Sequence, residues 1–187
     1  MSQYFVLIEL PLPDLFLIQR KRLDDTRGYL ERLFCARELA EVGWHNPIRQ
    51  INQTYTIRPG TVRGMHFQYP PHTEKKLVMC MKGRVYDVAI DIRRDSPTFL
   101  KWHGEILSSE KSNALVIPEG FAHGFQTLTH DVEMLYLHSE FYVPESEGGV
   151  NPADPAIDIR WPLKIVEMSE KDRTHPLINK DFLGIAR

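Results

Sequence analysis

Leu77-Val78-Met79-Cys80-Met81, then Lys82-Gly83, then Arg84-Val85-Tyr86-Asp87-Val88-Ala89-Ile90-Asp91-Ile92-Arg93 is the stretch that decides the fold class. The first run is apolar. In the second, Tyr86, Val88, Ile90 and Ile92 share one face of a strand, and Val85, Asp87, Ala89 and Asp91 share the other. Lys82-Gly83 between two such runs predicts a tight turn and a β-hairpin. Short runs of the same kind recur at Tyr4–Glu9, Ile48–Thr56, Gly64–Phe67, Trp102–Leu107, Asn113–Ile117, Gly124–Leu128 and Val132–Tyr142. Many short strands with turn signals about ten residues apart predict a β-sandwich or jelly roll. Only Ala36 to Val42 separates apolar from charged residues as a helix does, with Gly43 placed to stop it. Ser169-Glu170-Lys171-Asp172 predicts a short helical turn. The expected class is mainly β with a few short helices.

Composition bounds the function. A chain of 187 residues, 42% hydrophobic and 26% charged, can build one sizeable core, so a single domain over 1–187 is expected. A net charge of −2 gives no electrostatic reason to expect nucleic acid or an anionic membrane as partner. The two cysteines, Cys35 and Cys80, cannot make a disulfide framework and lack CxxC spacing, which favours a reducing, cytoplasmic setting. No apolar run approaches the roughly 20 residues of a membrane helix. The apolar start lacks a basic segment and a small-residue cleavage site, and Pro11, Pro13 and Asp14 interrupt it.

Two histidine segments stand out. In Arg63-Gly64-Met65-His66-Phe67-Gln68, His66 and Gln68 share a strand face, and Arg63 joins them only if Gly64 permits a bulge. Pro118-Glu119-Gly120-Phe121-Ala122-His123 places a second histidine just after a turn. Together with Gly60, Glu74 and Gly83, these segments resemble the two motifs of cupin β-barrels. Metal-binding cupins carry a second histidine where this chain has Gln68, which argues against a metal here, although two histidines and a glutamate could still hold one.

The strings RGMHFQ, KLV from Lys76, VYDVAIDIRRDSPTF, IPEGFAHGF, MLYLHSEFY, PESEGG and DIRWPL, in this order, resemble the dTDP-4-dehydrorhamnose 3,5-epimerase family from about Arg27 to Asp172. The resemblance implies a cupin jelly roll that uses no metal and no other cofactor and epimerises a nucleotide-linked 4-keto-6-deoxyhexose at C3, C5 or both, in deoxysugar biosynthesis of the lipopolysaccharide type. It implies His66 as general base, Asp172 as the carboxylate orienting it, and Tyr136 as the acid on the opposite face of the sugar. Arg63, Lys76 and His123 match polar residues around the sugar and the developing oxyanion. Gln50, Asn52, Glu147 and Lys171 match further substrate contacts. Tyr142 matches the aromatic that stacks on the base, and Arg27 an arginine that reaches the nucleotide from the neighbouring subunit of a homodimer. Arg32 stands at the family's nucleotide-binding glutamate, and Ile51 replaces an aspartate after Gln50, so recognition departs from the pattern where catalysis does not. A guanidinium suits base acceptors or phosphate, whereas a carboxylate suits N–H donors.

The chemistry needs these groups. A proton next to a keto group is removable near neutral pH only if the enolate is stabilised, and a histidine is suited to take it. A carboxylate fixes that histidine's tautomer, as in any such pair. Cations near the keto oxygen stabilise the enolate, and inversion requires a donor on the opposite face. Competing readings are a C3-only epimerase, a 3,4-ketoisomerase, a metal-dependent cupin, and a sugar-binding cupin without catalysis.

Overall fold

The computed structural model describes residues 4–186. In chain order the strands and α-helices are β1 (Phe5–Glu9), β2 (Phe16–Arg20), β3 (Arg22–Asp25), β4 (Gly28–Glu31), α1 (Ala36–Leu39), β5 (Gln50–Thr56), β6 (Val62–Gln68), β7 (Lys76–Lys82), β8 (Arg84–Asp91), β9 (Trp102–Ser108), β10 (Asn113–Ile117), β11 (Phe121–Thr127), β12 (Val132–His138), β13 (Glu147–Gly149) and α2 (Glu170–Thr174). Six strands form one sheet in the order β1-β2-β10-β7-β12-β5, and five form a second in the order β13-β6-β11-β8-β9. Their pairings are all antiparallel, and β3 with β4 makes a separate two-stranded hairpin. Two facing sheets with these crossing connections are the cupin jelly roll.

The sheets pack face to face over Val78, Cys80, Leu115 and Met134 from the first and Val85, Ala89, Phe121 and Phe125 from the second. Both outer faces are covered too. α1 and the 3₁₀ turn Ala40–Val42 bring Leu39, Val42 and Trp44 against Leu77, Met79 and Leu137. Gly43 ends that segment with φ +75°, the left-handed cap its position predicts. On the other side the chain beyond β13 lays Val150, Ile157 and Trp161 over Met65, Val88 and Ile90. Trp102 and Trp161 donate their indole N–H groups to the Ile157 and Pro152 carbonyls at 3.0 and 2.9 Å. Central strands covered on both faces explain why β7 is apolar from Leu77 to Met81 and why both faces of β8 carry apolar residues.

The predicted hairpin at Lys82-Gly83 is corrected. β7 pairs with β10 and β12 in the first sheet, whereas β8 pairs with β11 and β9 in the second. The two residues therefore make a corner at which the chain changes sheet. Of the pair only Gly83 has positive φ, +80°. Tight hairpin turns need positive φ at the first turn residue, and without it the flanking strands splay. No helix among the described residues is long and apolar enough to cross a membrane.

Candidate active site

A cavity of about 550 Å³ opens between the sheets, with His66 of β6 and His123 of β11 on one wall and Lys76 of β7 and Tyr136 of β12 on the other. Asn52 of β5 and Asp172 of α2 also line it. The bulge required to bring Arg63 to the same space is present. β11 pairs with β6 as His123↔His66 and then as Phe125↔Arg63, a slip of one residue. Gly64 adopts φ +131°, and a Cβ there would lie 2.5 Å from Gly124 Cα and 2.9 Å from the His123 carbonyl. Only glycine fits, and the extra residue turns both Arg63 and His66 into the cavity.

The His66 Nε2 lies 2.7 Å from Asp172 Oδ1. Ser169 caps α2 by accepting the Asp172 N–H at 3.0 Å, which fixes the first turn and with it the carboxylate. Burial pushes the Asp172 carboxyl up, but the His66 contact, the Gly64 N–H and Ser169 together hold it below the usual carboxylate range. An ionised Asp172 accepts from an Nε2–H, so Nδ1 of His66 is the basic nitrogen. Tyr136, on the facing sheet, is 8% exposed and its hydroxyl lies 3.3 Å from Thr54 Oγ1. Burial pushes the Tyr136 phenol well above its ordinary value, so it stays a proton donor at neutral pH.

Cationic and neutral donors surround these two groups. Lys76 is buried, with Nζ 3.0 Å from Glu74 Oε1, and Glu74 Oε2 is 2.7 Å from His138 Nδ1. Burial works against ionisation of Glu74, yet Lys76 and His138 outweigh it and hold the carboxyl at about 2. Arg63 donates Nε–H to Thr56 at 3.0 Å. The His123 Nε2 sits 2.9 and 3.0 Å from the two oxygens of Asp87, a fully buried carboxyl that burial pushes up against the pull of His123 and Lys76. Gln68 donates Nε2–H to the His72 and Phe141 carbonyls and accepts the Val143 N–H, so it braces the loop after β12.

The remaining sequence-predicted residues divide by location. Asn52, 3.4 Å from His138 Nε2, lines the cavity, as does Lys171. Lys171 donates to Glu147 at 2.5 Å, Glu147 accepts the Tyr142 hydroxyl at 2.6 Å, and the Tyr142 N–H donates to Gln50 Oε1, so these four make a connected rim leading outward. Arg27 and Arg32 are not brought to the cavity by their own chain. Arg27 is exposed in the β3–β4 turn and paired with Asp25. The Arg32 guanidinium is 3.0 Å from Glu38 and lies 3.9 Å over the Tyr4 ring. Glu31, the neighbouring carboxylate, is buried against Arg20 at 3.2 Å and is not available to a nucleotide. Sequence reasoning missed the partners Thr54, Asp87 and His138. Tyr136 and His138 are two apart on one strand, a spacing that puts both on the cavity face and could have found the second of them.

The geometry agrees with comparisons to known proteins. The sequence profile of the dTDP-4-dehydrorhamnose 3,5-epimerase family matches residues 9–180. The dTDP-4-dehydrorhamnose 3,5-epimerase of Salmonella typhimurium is 39% identical over 180 residues, 95% of this chain and 98% of that protein. The crystal structure of a dTDP-6-deoxy-D-glucose-3,5-epimerase from Legionella pneumophila, in complex with dTDP-4-keto-L-rhamnose, superposes with a TM-score of 0.91 at 36% identity, covering 98% of this chain and all of that one. ChmJ, a 3'-monoepimerase from Streptomyces bikiniensis in complex with dTDP-quinovose, superposes at 0.84 with 29% identity over 91% of this chain and 86% of that one. With its histidine–carboxylate pair facing a buried tyrosine across a jelly-roll cavity, the chain belongs to the dTDP-4-dehydrorhamnose 3,5-epimerase family.

Proposed function

We propose that the protein is an isomerase that epimerises a dTDP-linked 4-keto-6-deoxyhexose next to its keto group, in deoxysugar biosynthesis. The observation that carries this reading is the facing pair: His66 held by Asp172 at 2.7 Å on one wall and buried Tyr136 on the other. Nδ1 of His66 takes the proton from the carbon beside the carbonyl. The electrons move onto the keto oxygen, and the donors nearby, Arg63 with the buried Lys76 and His123, stabilise the enolate. Tyr136 then delivers a proton to the other face, which inverts the centre; proton exchange with solvent resets both groups. The Gln50–Tyr142–Glu147–Lys171 rim offers an aromatic ring, 52% exposed, for a nucleotide base.

Arg27 and Arg32 belong to this reading as residues given to or taken from a second copy, so the working unit is a homodimer in the cytoplasm. What supports the dimer is the apolar surface on β1 and on the β3–β4 hairpin, where Val6, Tyr29 and Leu30 are 61%, 59% and 63% exposed. Light scattering at micromolar concentration tests it, and a stable monomer would remove any cross-subunit role for the two arginines.

The test of function is proton NMR of turnover in deuterium oxide with a panel of nucleotide-linked 4-keto-6-deoxyhexoses. Wild type washes deuterium into C3, C5 or both and inverts the exchanged centres, and the spectrum reads directly how many centres react. His66→Asn abolishes both exchange and inversion. If His66→Asn still incorporates deuterium at the wild-type rate, another group is the base.

A further inference from the structure

His175, directly after α2, takes no part in the chemistry above, yet it is aimed at the catalytic pair. Its ring meets His66 edge-on, with centroids 5.9 Å apart. Its Nε2 lies 4.0 Å from Asp172 Oδ1, is buried, and has no hydrogen-bond partner among the described residues. A buried ring nitrogen without a partner costs free energy and calls for a reason. The ring packs directly on Gly149 of β13, and only a glycine leaves room for it, since a Cβ there would overlap the ring. One donor atom from each of His66, Asp172 and His175 lies within 4.8 Å of the others.

We propose that His66, Asp172 and His175 form a site for a divalent cation of the Zn²⁺ type, and that its occupancy switches off proton abstraction. Two imidazoles and one carboxylate are a donor set that such ions favour over Mg²⁺ or Ca²⁺, which prefer oxygen. At bond lengths of about 2.1 Å, tetrahedral ligand atoms stand roughly 3.4 Å apart. The 2.7 Å and 4.0 Å separations at Asp172 Oδ1 bracket that value, so one must open and the other close by less than about 1 Å. Asp172 Oδ2 accepts the Gly64 N–H at 3.3 Å, which orients the carboxylate while Oδ1 ligates.

The balance of the step explains the inhibition. The hydrated ion loses water and gains bonds to His66 Nε2, Asp172 Oδ1 and His175 Nε2. The proton formerly on His66 Nε2 moves to Nδ1 of the same ring, so the imidazole stays neutral but its basic nitrogen is gone. Ion binding itself is independent of the proposed reaction; only the inhibitory half rests on that reading.

The experiment is titration of the purified full chain with Zn²⁺ against a chromophoric chelator, alongside Mg²⁺. Wild type is expected to bind one Zn²⁺ per chain with micromolar or tighter affinity and to ignore Mg²⁺. His175→Asn should weaken Zn²⁺ binding by about tenfold or more. Gly149→Ala, which displaces the His175 ring without altering a ligand, should weaken it in the same direction and guards against misfolding of the first variant. Deuterium incorporation into substrate should fall with the same Zn²⁺ midpoint as binding. No binding by wild type, unchanged affinity in both variants, or full exchange by the Zn²⁺-loaded protein would each overturn the proposal. A protein that binds Zn²⁺ as described but exchanges no substrate proton without it would instead overturn the epimerase reading.

Discussion

At the residue scale, the groups proposed to carry the reaction differ in how much of their environment is local. His66 and Asp172 are 106 positions apart, and only the fold brings them to 2.7 Å; in the sequence Asp172 alone reads as a charge in a helical turn, and its proposed role comes only from the family resemblance. Asp87 was legible only as a charge on a strand face. Its pairing with His123 depends on β8 lying beside β11, which no short-range pattern reveals. In the proposed reaction, base and acid stand on opposite walls of the cavity. Tyr136→Phe leaves His66 and Asp172 intact but removes the donor on the opposite wall. It is expected to keep exchanging deuterium with retained configuration while inversion falls by about 10²–10⁴-fold, the usual weight of one positioned acid or base. Asp172→Ala leaves His66 with no fixed tautomer, so exchange and inversion should fall together. Both are read from the same NMR time course. Equal loss of exchange and inversion in Tyr136→Phe would mean that the tyrosine does not act separately from the base.

At the element scale, β6 shows what a single glycine contributes. The parity argument for Arg63 and His66 made a bulge at Gly64 a condition of the site, and the register slip meets it. The hairpin at Lys82-Gly83 failed on the same kind of evidence, because a two-residue turn looks alike whether the chain folds back or crosses to the facing sheet. What decides is which strands fill the edges of β7 and β8, and those are β12 and β10 for one and β11 and β9 for the other. β13 escaped notice because three residues, two of them glycine, carry no alternation. Gly64 and Gly28 permit a controlled comparison. Their φ angles are +131° and +132°, but a Cβ on Gly28 would meet nothing within 4 Å. Alanine at either position carries backbone strain of about 1–3 kcal/mol. Gly64→Ala must in addition push apart the backbones of β6 and β11, for roughly another 1–3 kcal/mol. Urea unfolding should therefore show the larger loss for Gly64→Ala, accompanied by loss of turnover. Equal losses would mean that the bulge is soft enough to absorb a methyl group.

At the scale of the whole molecule, a jelly roll of this kind keeps charge inside it, and that ties its stability to pH. The layered core was legible from strand patterning, but the buried Lys76–Glu74–His138 cluster was not, since Lys75-Lys76 looks like any surface pair in sequence. The cluster sits on the cavity wall, so the charge proposed to stabilise the enolate also helps to hold β7 to β12. Glu74 has a carboxyl at about 2 in the folded protein against an ordinary 4.5, burial being more than offset by Lys76 and His138. A folded-state value depressed below the unfolded one stabilises fully above about 4.5, and that contribution fades as pH falls through 4.5 towards 2. A difference of this size corresponds to stabilisation on the order of 3 kcal/mol at neutral pH. Asp172 is depressed as well, so it adds to the same acid limb. Urea midpoints measured from pH 7 down to pH 2.5 should then fall steeply below about 4.5 in wild type. Glu74→Gln should be less stable at neutral pH, because Lys76 loses its carboxylate, and its curve should be flatter, converging on wild type near the acid end. Parallel curves for the two proteins would show that Glu74 titrates alike folded and unfolded, and that the charge on the cavity wall contributes nothing to holding the two strands together.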